Sequence, residues 1–128
     1  MVPTLVVNDK SILKKPATMC ESLPIIEWLE EVYPSKRKLF PKDLQKKQEV
    51  RRLCEIINSG TQPIQNLSVL NEIGARFGDS HKVSWAQFVI NRGFTAFERA
   101  IEKTSAKYCM GNILTLADVF LVPQVYNA

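Results

Sequence analysis

Met1-Val2-Pro3-Thr4-Leu5-Val6-Val7 opens the chain, and further on Glu21-Ser22-Leu23-Pro24-Ile25-Ile26 faces it as a second distinct stretch. The first is short, rich in β-branched residues and followed by Asn8-Asp9, a good turn pair, so it predicts a strand. That strand is entered through an X-Pro bond, where a cis peptide is affordable. The second stretch predicts a helix start, whose unpaired N–H groups can meet an anion. Side by side, the two would form a grip for a small anionic molecule. Ser11-Ile12-Leu13 predicts a second strand closing a hairpin, and residues 14–18 a loop.

From Ser22 the apolar period becomes helical. Ile25, Ile26, Leu29, Val32 and Tyr33 share one face, with Glu27, Glu30 and Glu31 opposite. Pro24 is tolerated in the first turn, and Pro34 is expected to close the helix. Two short strands and one helix cannot bury a core alone, so the remainder must supply one. The proline-bracketed basic stretch from Pro34 to Pro41 is the expected boundary between the two parts.

Asp43 then reads as an N-cap for a long helix carrying Val50, Leu53, Cys54 and Ile57. Ser59-Gly60 and Pro63 interrupt it, and Ile64, Leu67 and Leu70 resume the pattern. The polar residues near the break, Gln62, Gln65 and Asn66, are candidates for a ligand role or for a plain exposed face. Residues 74–82 predict a polar loop with His81 solvated. Val83 to about Lys103 predicts the clearest helix, with Trp85, Phe88, Val89, Ala96, Phe97, Ala100 and Ile101 in a core stripe. Gly93 lies in that stripe, where it would let another helix approach closely. Residues 108–112 predict a loop. Thr115-x-x-Asp118 is a capping-box signal, with Leu114 and Val119 spaced as its staple. The apolar run Phe120, Leu121, Val122 and Val125 predicts a buried helix. No basic last turn or closing glycine follows before Ala128, so the helix is expected to be cut there, not finished.

Composition is that of an ordinary globular chain: 128 residues, 45% hydrophobic and 23% charged. No apolar run would span a bilayer and no signal-peptide pattern opens the chain, so a cytoplasmic protein is expected, with no membrane partner. Three scattered cysteines, Cys20, Cys54 and Cys109, and the lone His81 show no metal-ligand spacing and predict free thiols and no metal site. The net charge of +4 gathers between Lys36 and Arg52, without the interleaved aromatic residues or motif of a nucleic-acid surface. A solvated basic face, or an accessory surface for anions, follows from it.

Taken together, Val2-Pro3-Thr4-Leu5 and Glu21-Ser22-x-x-Ile25-Ile26-x-x-Leu29-Glu30-Glu31-x-x-Pro34 resemble the second half of the thioredoxin-like domain of glutathione transferases. Gly111-x-x-x-Thr115-x-Ala117-Asp118 resembles the capping box of their helical domain. The strings from Thr61 to Leu70, Trp85-Ala86-Gln87 and Ala117-Asp118-x-x-Leu121-Val122-Pro123-Gln124-Val125 resemble the zeta class, the maleylacetoacetate isomerases. The resemblance implies a mostly α chain. Residues 1–38 would be a partial thioredoxin-like β-β-α glutathione-binding piece, and residues 39–128 the start of the all-helical domain.

It implies a glutathione-dependent cis–trans isomerisation of maleylacetoacetate to fumarylacetoacetate, in tyrosine and phenylalanine breakdown. The partners would be glutathione and a small acidic substrate, with the homodimer that the family forms. Val2, before a proline expected to be cis (Pro3), would pair its backbone with the cysteinyl amide of glutathione. Glu21 and Ser22 would take the γ-glutamyl end. Gln62 and Asn66 would lie on the substrate side, and Thr115 and Asp118 would serve folding.

No catalytic residue is assigned. The family's Ser-Ser-Cys stretch, which activates the glutathione thiol, and a later substrate-binding arginine have no counterpart, and neither Cys20 nor Cys109 sits at a helix start. Extra residues around 14–19 separate the strand from Glu21-Ser22, and Asp9 is followed by Lys10 where the family has glycine. The expectation is therefore an inactive truncated family member. Its alternative is a non-catalytic isoform or interaction module that retains some glutathione binding.

Overall fold

A computed structural model describes residues 3–33 and 38–128. Among them are a two-stranded antiparallel sheet and five helices, so the chain is mostly α. It divides into two compact units, Met1–Leu39 and Phe40–Ala128.

In the first unit, strand β1 (Thr4–Val7) pairs with strand β2 (Ala17–Cys20) in the register Thr4↔Cys20 to Val7↔Ala17. The second strand is therefore not Ser11-Ile12-Leu13. Asp9 explains the difference. Its carboxylate accepts from the Ser11 backbone N–H at 2.8 Å and from the Ser11 hydroxyl at 2.7 Å, and its carbonyl accepts from Ile12 and Leu13 N–H. An Asx turn consumes the donors that a strand would have used. The segment predicted as a loop then supplies β2, with Ala17 and Met19 turned inward.

Helix α1 (Ser22–Val32) follows directly, packs against β2 and buries Ile25. Its predicted stop at Pro34 lies outside the described residues, as do Ser35, Lys36 and Arg37 of the basic stretch. Leu39 N–H returns to the Glu30 carboxylate, and Lys38 Nζ donates to the Glu30 carbonyl at 3.0 Å.

The second unit is built on helix α2 (Leu44–Asn58), which packs against helix α4 (His81–Ile101) and helix α5 (Leu116–Tyr126). Asp43 caps α2 by accepting from Lys46 N–H at 2.8 Å. Val50, Leu53, Cys54 and Ile57 are fully buried, meeting a core that includes Val89, Phe97, Leu116 and Ala117. Helix α3 (Leu67–Phe77) packs on α4 and buries none of its residues.

The predicted loop over 74–82 is mostly helix. Helix α3 runs through to Phe77 and α4 begins at His81, leaving a three-residue joint. Gly78 makes the sharp joint by taking φ +98°, and its N–H donates to Gly74 O at 2.9 Å. A Lys82–Asp79 ion pair, 2.7 Å across, lies against Gly74, where any side chain would collide with it. Phe88, expected in the core stripe, is 57% exposed, because α4 packs along Val89, Ile90, Gly93 and Phe97. Phe88 instead lies against the Trp85 ring, with Arg92 above it. Helix α5 buries Leu116, Ala117, Asp118, Phe120 and Gln124, while Val122 and Val125 stay exposed. The predicted burial of this helix thus holds on one side of it.

Candidate functional site

The register of the β-ribbon carries the candidate ligand site of the first unit. Thr4↔Cys20 is the last pair of the ribbon, so Pro3 precedes it and Glu21 follows it, at the end where α1 begins. Thr4 Oγ1 and Cys20 Sγ are 3.7 Å apart at that end. Val2, and with it the Val2-Pro3 bond, lies outside the described residues.

Glu21 passes from strand to helix with φ +75° and ψ +132°, the one non-glycine residue at positive φ among those described. Such a conformation costs on the order of 1–3 kcal/mol and persists where something else requires it. As the N-cap residue it makes no side-chain cap bond, so its exposed carboxylate is not spent on its own helix. Pro24 occupies the third helical position and has no N–H. The first turn therefore presents the N–H groups of Ser22 and Leu23 together with the half-buried Ser22 side chain. Two oriented N–H groups, a hydroxyl and the positive end of a helix suit a carboxylate. The adjacent Glu21 suits an ammonium. This is the chemistry of an α-amino acid head group.

In the second unit, Gln62 and Asn66 lie exposed on the turn that joins α2 to α3. Gln62 N–H is bound to Ile57 O at 2.9 Å, and its side chain is exposed. Asn66 is the N-cap residue of α3, and it too makes no side-chain cap bond. Their neighbours are held differently. Thr61 is fully buried and its hydroxyl donates to Ile56 O at 2.8 Å. Trp85 Nε1 donates to Ile64 O at 3.0 Å. Gln65 Nε2 donates to Gln124 Oε1 at 3.1 Å in a buried contact. Sequence reasoning grouped Gln65 with its exposed neighbours and gave Gln124 no role. A lone glutamine within the apolar run of α5 was the signal that could have found it.

Thr115 and Asp118 form the capping box of α5. The Asp118 carboxylate accepts from Thr115 N–H at 2.8 Å, from the Thr115 hydroxyl at 3.0 Å and from Cys109 N–H at 2.8 Å. The last of these joins the preceding loop to the helix start and was not foreseen. Burial alone would raise the Asp118 carboxyl, but these donors outweigh it and hold the group below the usual carboxylate range. Burial first, and then the hydrogen bond and charge of Asp118, push the Cys109 thiol up to about 12. A thiol so protected is no nucleophile at neutral pH. Among the described residues no group of three or more His, Cys, Asp or Glu could share a metal ion, and none of the three cysteines is in a disulfide.

No family model matches the chain. Individual proteins do. The maleylacetoacetate isomerase of Mus musculus is 48% identical over 111 residues, covering 87% of this chain and 49% of that protein. The chain belongs to the maleylacetoacetate isomerase family. It spans about half the length of the curated relatives it matches.

The fold agrees with the membership. The maleylacetoacetate isomerase of Anaeromyxobacter dehalogenans 2CP-1 was solved with dicarboxyethyl glutathione and citrate in its active site. It is 40% identical at a TM-score of 0.90, over 100% of this chain and 56% of that one. A bacterial maleyl pyruvate isomerase, a glutathione transferase of the zeta class, is 35% identical at a TM-score of 0.79, over 93% and 62%. Among the described residues of this family member, no helix is long and apolar enough to cross a membrane.

Proposed function

We propose that this chain contributes the glutathione grip and part of the substrate side to a glutathione-dependent isomerase that converts maleylacetoacetate to fumarylacetoacetate. The observation that carries it is the meeting of Pro3, strained Glu21 and the open first turn of α1 at one end of the ribbon. Glutathione begins with the head group that this arrangement suits. Its γ-glutamyl carboxylate would take Ser22 through hydroxyl and N–H, and its ammonium would take the Glu21 carboxylate. The Val2 backbone would pair with the cysteinyl amide.

In the reaction, glutathione thiolate adds to the conjugated double bond, the resulting single bond rotates, and elimination releases the thiolate and leaves the trans alkene. Gln62 and Asn66 supply amide donors for a substrate carboxylate. These residues are assigned to binding; lowering the thiol pKa is assigned to none of them. In this reading the first unit is the thioredoxin-like, glutathione-binding part and the second the helical part of a zeta-class enzyme. It acts in the cytosol as a homodimer, and cysteines outside any disulfide are in keeping with a reducing compartment.

Calorimetry tests the grip. Glutathione is expected to bind the chain, and Ser22→Ala to weaken it by roughly ten- to a hundredfold, the value of a hydrogen bond to a charged group. Undiminished binding by Ser22→Ala would refute the assignment of the γ-glutamyl end.

A further inference from the structure

The turn between α2 and α3 is pinned at three points. Thr61, Ile64 and Gln65 are held by Ile56 O, Trp85 Nε1 and Gln124 Oε1, while Gln62 between them and Asn66 just beyond stay exposed. The Gln65–Gln124 contact joins residues 59 apart in sequence, and Gln124 is 1% exposed. It is poorly explained by stability. Gln124 Nε2 is buried with no hydrogen-bond partner, so the pair leaves one amide donor unsatisfied. A matched apolar pair of the same shape would hold α5 against the turn without that penalty. What the amides add, and methyl groups cannot, is direction: one donor and one acceptor fix where the turn stands.

We infer that the Gln65–Gln124 pair is a positioning device, which fixes the α2–α3 turn so that Gln62 and Asn66 present their amides to the acidic end of the substrate. Gln124 touches no substrate in this scheme; it acts through Gln65. The inference rests on the proposed substrate-side role of Gln62 and Asn66.

The double variant Gln65→Met/Gln124→Met separates positioning from stability. Met conserves volume, and both partners become apolar together, so its urea midpoint is expected to stay near that of wild type. Gln124→Met alone leaves the Gln65 amide unpartnered and should be the less stable protein. In the double variant, backbone amide exchange at Gln62, Ile64 and Gln65 is expected to quicken by about tenfold, with the amides of α4 unchanged. The preference for dicarboxyethyl glutathione over glutathione, measured by calorimetry, is expected to fall by a similar factor. Unchanged exchange overturns the anchoring. Faster exchange with an unchanged preference overturns the link to the substrate. A wild type that shows no preference at all overturns the substrate-side role on which that link rests.

Discussion

Glu21 carries a backbone strain at the position proposed to take the glutathione ammonium. Its positive φ is easy for glycine and strained for glutamate, yet glutamate stands there with its carboxylate unused by the helix it caps. Glu21→Gly should relieve the strain while making the unfolded chain more flexible, for a net gain of about 1 kcal/mol. The same change removes the proposed partner of the glutathione ammonium. Stability in urea is therefore expected to rise while glutathione affinity falls. A variant that gains neither stability nor loses affinity would show that the backbone geometry is incidental. The sequence names Glu21 and Ser22, but the positive φ is invisible in it, because only the meeting of β2 and α1 imposes that conformation.

Among the elements, α4 shows the limit of periodicity most clearly. The helical stripe is correct for Val89 and Phe97 and wrong for Phe88, since periodicity marks an apolar face without saying how much of it a neighbour covers. Gly93 was expected to admit a helix; what it admits is Thr61 of the turn. A Cβ at Gly93 would lie 2.1 Å from Thr61 Oγ1 and 3.1 Å from its Cβ and Cγ2. Thr61 is fully buried and its hydroxyl is already committed to Ile56 O, so it has little room to yield. Gly93→Ala should cost about 1–3 kcal/mol by overpacking, and much of that should return in Gly93→Ala/Thr61→Ala. Thermal unfolding of the double-mutant cycle checks it; additive losses would mean that the two sites do not touch.

The ribbon teaches the complementary lesson. Its β-branched residues marked β1, but the Asp9 side chain captured the backbone of the segment that was to pair with it. An Asx turn outweighed strand pairing of the short segment Ser11-Ile12-Leu13.

For the molecule as a whole, the Asp118–Cys109 network links stability to pH at both ends. The carboxyl of Asp118 is held below its ordinary value in the folded state. Its contribution is present above pH of about 4 and is lost as pH falls through the lower folded value. Cys109 behaves in the opposite sense. Its thiol stays protonated to about 12 when folded and ionises from about 9 when unfolded, so its contribution is present below pH 9 and fades as pH rises toward 12. Asp118→Asn should lower the melting temperature most near neutral pH, with the difference closing in acid. It should also ease the alkaline loss, because the charge that helps to raise the thiol has gone. Melting temperatures of the two proteins from pH 2 to pH 11 test both limbs; parallel curves would sever the network from stability.

What the sequence determined by itself was local in origin: the strand that ends at Val7, the Asp43 cap, the capping box of α5, the helix start at Ser22 and the family strings. Each depends on residues within a turn or two of one another, so spacing suffices to read it. The tertiary structure alone decided that Ala17–Cys20 pairs with β1, that Phe88 faces outward and that Gly93 receives Thr61. It alone showed that Gln124 reaches Gln65. Those outcomes depend on which surfaces distant segments cover and on where buried polar groups find partners, and neither is encoded at any one position of the chain.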